Sequence, residues 1–155
     1  MTLMTRTALF ASLAATLGLA SAAHAAPPTF IPSSMAGAPI GAGAIVPAGS
    51  TIFFVSGIPG DAKAGNTQAQ TMDCLTKLGA VLKAQGFDYK DVVNAKVYLV
   101  ADPATGKMDF LGMNTAFKTF FGTASEPNKP SRVTVQVAGL AAPGSLVEIE
   151  LTAAK

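Results

Sequence analysis

The sequence predicts an α+β domain in which two helices cover one face of a mixed β-sheet, in the order β-β-α-β-α-β-β. Three observations predict it. Two stretches, 67–85 and 109–121, carry apolar residues at three- and four-residue steps and lie between extended runs. Strands joined through a helix run parallel and strands joined by short connections form hairpins, so the sheet is expected to contain both relations. Two helices are also too few to cover both faces, which leaves one face for a partner and predicts a closed homo-oligomer.

The chain opens on a targeting pattern. Arg6 precedes the apolar run 8–21 (ALFASLAATLGLAS), and Ala23-His24-Ala25 meets the small-x-small cleavage rule. The run falls short of the roughly 20 apolar residues that span a bilayer. Residues 1–25 are therefore expected to be a cleaved secretory signal, with the mature chain periplasmic or secreted and free of the membrane. Residues 26–43, rich in Ala, Pro, Gly and Ser, read as an extended arm, and 44–155 as one domain with a short strand at 44–46.

TIFFVS at 51–56 is dense in β-branched and aromatic residues and reads as a strand ended by Gly57. Residues 58–66 (IPGDAKAGN) have loop and turn chemistry. In the first helix Met72, Leu75, Leu78 and Leu82, with Val81 beside them, form the expected buried stripe, and Gly86 supplies the stop. VVNAKVYLV at 92–100 is a strand of nearly continuous apolar character. Asp109 reads as the N-cap of the second helix, with Phe110, Met113, Phe117, Phe120 and Phe121 on its buried side and Asn114 the polar residue among them.

Composition removes several function classes. The net charge is +2 and only 13% of residues are charged, which is no footprint for nucleic acid or an anionic membrane. The only histidine, His24, falls within the expected signal. Without it, neither a Ser/His/Asp or Cys/His site nor a His/Cys zinc site can be built from the domain, and no metal site is expected. The single Cys74 allows no disulfide within the chain and is expected to be a small filler of the first helix.

The stretch KPSRVTVQVAGLAAPGSLVEIE at 129–150 concentrates the remaining chemistry. Arg132 is the only arginine beyond the expected signal, and it alternates with the valines so that Arg132, Thr134 and Gln136 share one strand face. On the last strand Leu146, Glu148 and Glu150 share one face and Val147, Ile149 and Leu151 the other. Were the two strands neighbours, Arg132 and Glu148 would face one small space as a carboxylate-binding and acid/base pair; a structural ion pair is the alternative for the same two residues.

SGIP at 56–59, QT at 70–71, GFDYKDVVNAKVYL at 86–99, MDFLGMN at 108–114, PSR at 130–132 and VEIEL at 147–151 resemble the RidA/YjgF family of reactive-intermediate deaminases, also described as endoribonuclease L-PSP-like. The resemblance implies a chorismate-mutase-like α+β fold, a homotrimer with clefts at its subunit interfaces, and cofactor-free hydrolysis of enamine/imine acids such as 2-aminoacrylate to 2-keto acids and ammonia. It implies that Arg132 holds the substrate carboxylate and Glu148 orients the attacking water. By the same resemblance Ser56, Gly57, Asn114 and Thr134 line the cleft, Thr134 standing where many members have Cys. The chain departs from the family pattern in lacking a Gln after Gly57 and a Tyr after Ile40-Gly41. Those departures keep a second expectation open, a non-catalytic trimer of the same fold that binds small carboxylates or another protein.

Overall fold

The computed structural model describes residues 25–155. The expected signal segment, apart from Ala25, lies outside the described residues.

Six strands and two α-helices follow in the order β1 (Thr29–Ile31), β2 (Gly43–Ile45), β3 (Ile52–Pro59), α1 (Thr67–Ala84), β4 (Val92–Leu99), α2 (Phe110–Phe117), β5 (Ser131–Gln136) and β6 (Val147–Ala154), with short 3-10 turns before α1 and β4. The α+β class is as expected. The arm is more ordered than an extended entry: β1 pairs antiparallel with β2, and the Gly41 amide donates to the Pro130 carbonyl at 3.0 Å.

The main sheet has the order β3-β6-β4-β5, with β6 antiparallel to both neighbours and β4 parallel to β5. The last two strands are therefore not a hairpin. Strand β4 lies between them, and the 137–146 connection carries the chain across it. The sheet is mixed for a different reason than two terminal hairpins.

Helix α1 starts on Asn66, whose side chain accepts from the Ala69 amide, and ends at Gly86, where φ of +75° lets the Gly86 and Phe87 amides turn back to the Lys83 and Leu82 carbonyls. Leu75, Leu78 and Leu82 are buried as expected and are joined on that face by Gln70, Thr71 and Cys74, while Met72 of the expected stripe is exposed and Val81 half-buried. The polar members of that face are engaged: the Gln70 amide donates to the Gly65 carbonyl and accepts from the Leu146 amide, and Thr71 Oγ1 donates to the Thr67 carbonyl. Gln70 thus ties the start of β6 to the helix layer.

The core lies between the helices and one sheet face, where Leu75, Leu78 and Leu82 meet Ala95, Val97, Leu99, Val147, Ile149 and Leu151. Burying a leucine completely is worth about 1.5–3 kcal/mol. Helix α2 is shorter than expected, ending at Phe117; Phe121 remains buried in the turn beyond it. Among the described residues no helix covers the opposite sheet face. Ile52, Phe54, Val133 and Val135 are exposed there, Phe54 at 76%.

Strand β3 also runs past Gly57. Its pairing with β6 jumps from Val55↔Leu151 to Ile58↔Ile149, so three steps on one strand match two on the other. The extra residue makes a β-bulge at Ser56–Gly57, inside the strand that was expected to end there.

Candidate functional site

The six residues singled out by sequence fall into two groups of three, on opposite sides of the sheet. Arg132 and Thr134 pair in register with Ala95 and Val97, which belong to the helix-covered face. Glu148 and Glu150 pair with Tyr98 and Lys96, on the open face. The expectation that Arg132 and Glu148 face one space within the chain is therefore not met. Both the intervening strand and the pleat separate them.

The first group is built by β5 and α2. The Arg132 side chain lies under the helix, with Nη2 donating to Asn114 Oδ1 at 3.0 Å. Its guanidinium carbon stands 4.5 Å from the centroid of the Phe117 ring and 5.7 Å from that of Phe110. Residues 110, 114 and 117 lie one helical turn apart and share one face of α2. Burial lowers the guanidinium from its usual value to about 10, so it stays cationic at neutral pH.

That cation is incompletely satisfied. Arg132 Nη1 and Thr134 Oγ1 are both buried with no hydrogen-bond partner, and among the described residues no carboxylate pairs with Arg132. Buried donors are nearly always matched. Two unmatched ones on alternate residues of one strand face form a polar recess that suits an anionic, oxygen-rich ligand. Gln136, next on that face, accepts from the Met108 amide at 3.0 Å and so holds the approach to α2 against β5.

The second group is built by the bulge and β6. The Glu148 side chain runs directly past Gly57, where a Cβ would collide with the carboxylate. A side chain at 57 would have to push the carboxylate aside. Ser56, exposed beside it, completes the group. Glu150 is not idle on the same face: it takes an ion pair from Lys96 at 2.5 Å, with the Tyr98 hydroxyl at 3.5 Å from its other oxygen.

Sequence reasoning missed Phe110 and Phe117 as neighbours of the arginine, placing both in the core. Phe117 is buried, yet Phe110 is 39% exposed at the rim of the recess. The signal was present in their spacing with Asn114. Two cavities lie elsewhere: one of about 770 Å³ involves Lys83, Phe87 and Lys155, and one of about 330 Å³ involves Phe30, Met35 and Pro127. Neither Arg132 nor Glu148 lines them. Cys74 is fully buried, its thiol donating to the Ile58 carbonyl at 2.9 Å, and desolvation pushes its pKa up to about 12, as befits a filler.

A mixed four-stranded sheet with two helices on one face and a half-buried edge-strand arginine defines a class of small α+β proteins. The chain belongs to the endoribonuclease L-PSP family, the RidA/YjgF group, whose model matches residues 42–155. It is 34% identical over 115 residues to a RutC family protein of Pyrococcus horikoshii, covering 71% of this chain and 83% of that one. It is 38% identical over 89 residues to 2-iminobutanoate/2-iminopropanoate deaminase of Rattus norvegicus, a match spanning 57% of this chain and 58% of the rat protein. Among solved structures, a Rid family protein of unknown function from Yersinia pestis superposes with a TM-score of 0.67 at 23% identity, over 84% of this chain and all of that one, which supports the fold. A protein titled putative endoribonuclease from Thermotoga maritima gives 0.54 at 30% identity, over 81% of this chain and 91% of that one.

Proposed function

We propose that this protein hydrolyses small enamine and imine acids of the 2-aminoacrylate type to 2-keto acids and ammonia. The observation that carries the reading is the buried Arg132 guanidinium with an unpartnered Nη1 beside the unpartnered Thr134 hydroxyl. A guanidinium grips a carboxylate through two parallel charge-assisted hydrogen bonds, which fixes the acid end of the substrate. Relatives named as imine deaminases support the reaction class.

The chemistry needs no covalent nucleophile. The enamine takes a proton on carbon and gives one up from nitrogen to become the imine, whose carbon is electrophilic. Water adds there, giving one proton to Glu148, which passes it to the nitrogen and leaves a carbinolamine. Glu148 then takes the remaining hydroxyl proton and delivers it to the amine as the C–N bond breaks, so ammonia leaves and the oxygen that came from water becomes the keto group. A positioned carboxylate doing this is worth roughly 10²–10⁴-fold.

Since Arg132 and Glu148 lie on opposite faces of their own sheet, the active unit is assembled between copies. Arg132, Asn114 and Thr134 come from one subunit, and Glu148, Gly57 and Ser56 from its neighbour. The exposed Phe54, Val133 and Val135 on the open face favour such packing, in a homotrimer. No cofactor enters the scheme. The signal-like sequence of residues 1–25 supports a periplasmic or secreted location.

A second reading keeps the same recess but no turnover: a trimeric module that binds small carboxylates. The missing Gln after Gly57 favours it, because Gly57 borders the Glu148 carboxylate. Ammonia and keto-acid release from 2-aminoacrylate generated in situ separates the two. Release that is lost in Arg132→Ala and in Glu148→Ala, both folded, supports hydrolysis; binding of pyruvate without release from any imino acid supports the module.

A further inference from the structure

Burial makes an arginine costly unless something offsets its lost hydration, and the usual offset is a carboxylate. Arg132 has none among the described residues. Its neighbours are the neutral oxygen of Asn114 at 3.0 Å and the π faces of Phe117 and Phe110 at 4.5 and 5.7 Å. All three sit at the i, i+4 and i+7 positions of one α2 face, so a single rigid element supplies the whole environment. The Phe117 ring is itself fixed, fully buried with its centroid 4.6 Å from that of Phe121.

We infer that Phe117 is a positioning residue, the floor of an uncharged clamp that holds the Arg132 guanidinium in place without neutralising it. This rests on the carboxylate-binding reading given above. A carboxylate in the same place would fix the arginine as well, but it would occupy the hydrogen-bond edge and cancel the charge that an anionic ligand needs. A ring under the guanidinium face leaves the edge free. The electron-rich face stabilises the cation by attraction to the ring quadrupole, an effect that grows when water is excluded. Asn114 takes one Nη2 hydrogen, and Nη1 is left for the ligand.

The test compares Phe117→Leu and Phe117→Tyr with the wild-type chain, using pyruvate as the probe in calorimetric titration alongside imino-acid turnover. Leucine fills the core but removes the ring; tyrosine keeps the ring. Phe117→Leu is expected to weaken pyruvate binding and raise KM by roughly tenfold, with kcat little changed, and Phe117→Tyr to restore both. Wild-type pyruvate affinity in a folded Phe117→Leu overturns the inference. A third readout is independent of ligand and activity. Arg132 is the only arginine beyond the expected signal segment 1–25, so the arginine Nε–H spectrum of the labelled mature protein contains one side-chain signal, and its loss in Arg132→Lys confirms the assignment. A ring-current displacement of that signal in the wild type, lost in Phe117→Leu and kept in Phe117→Tyr, supports the clamp. An Arg132 signal that does not move between wild type and Phe117→Leu overturns it, even where the wild type binds and turns over nothing and the proposed function itself falls.

Discussion

Arg132 and Glu148 point to opposite faces of one sheet, with β4 lying between their strands. A chain that uses both must borrow one of them from another copy, so the two single variants should complement each other. Arg132→Ala and Glu148→Ala are each expected to lose at least a hundredfold in kcat/KM. Unfolded together in equal amounts and refolded, they should regain about a quarter of wild-type activity, because half the subunits supply each intact group and both must meet at one interface. Activity of the refolded mixture no higher than that of either variant alone would show that the site is not shared.

Asn114→Asp tests whether the arginine must be held by a neutral partner. The new carboxylate would stand where Asn114 Oδ1 now accepts from Nη2 at 3.0 Å and would pair with the guanidinium. Stability is expected to hold or rise, while pyruvate affinity falls tenfold or more. Calorimetric titration with pyruvate and urea unfolding on the same sample check the two directions together.

Gly57→Ala places a Cβ against the Glu148 carboxylate and must displace it. Turnover should drop on the order of a hundredfold through kcat, with pyruvate affinity nearly kept, since the Arg132 group is untouched. Equal loss in kcat and in pyruvate binding would mean that the bulge shapes both groups.

The order of elements and the burial of the second half were legible in sequence because amphipathic periods report which side of an element meets the core. The alternation on β6 and the Gly86 stop of α1 are examples. Strand neighbourhood was not legible, because a short connection between β5 and β6 favours a hairpin locally and only the tertiary contest with β4 decides otherwise. The Ser56–Gly57 bulge was hidden for a related reason: glycine after a β-rich run looks like an end until its partner strand is known. Alternation separated Val133 and Val135 from Arg132 but did not say which side meets the helices; the valines are the exposed ones, and no single-chain rule tells a core face from an interface face.

Alkaline pH should erode the fold from about pH 9 upward. Desolvation raises the Cys74 thiol from 9.0 to about 12, and chiefly desolvation, with the Asp88 charge, raises the Tyr89 hydroxyl from 10.0 to about 12. Each group holds its proton longer in the folded than in the unfolded chain. Their stabilisation is therefore complete below the unfolded values and is lost as pH rises toward the folded ones. Urea midpoints at pH 8, 10 and 11 check this, and Cys74→Ala should flatten the decline. A midpoint that stays constant to pH 11 would contradict the burial of both groups.

Lys96 and Glu150 cancel each other on the uncovered sheet face. In the proposed homotrimer, residues of that face near the rotation axis would meet their own images, so a lone lysine there would be forced against other lysines and a lone glutamate against other glutamates. Pairing the two inside each subunit would remove that self-repulsion. Reversing one sign, as in Lys96→Glu, would penalise the assembled state several times over while costing the isolated chain only one exposed pair.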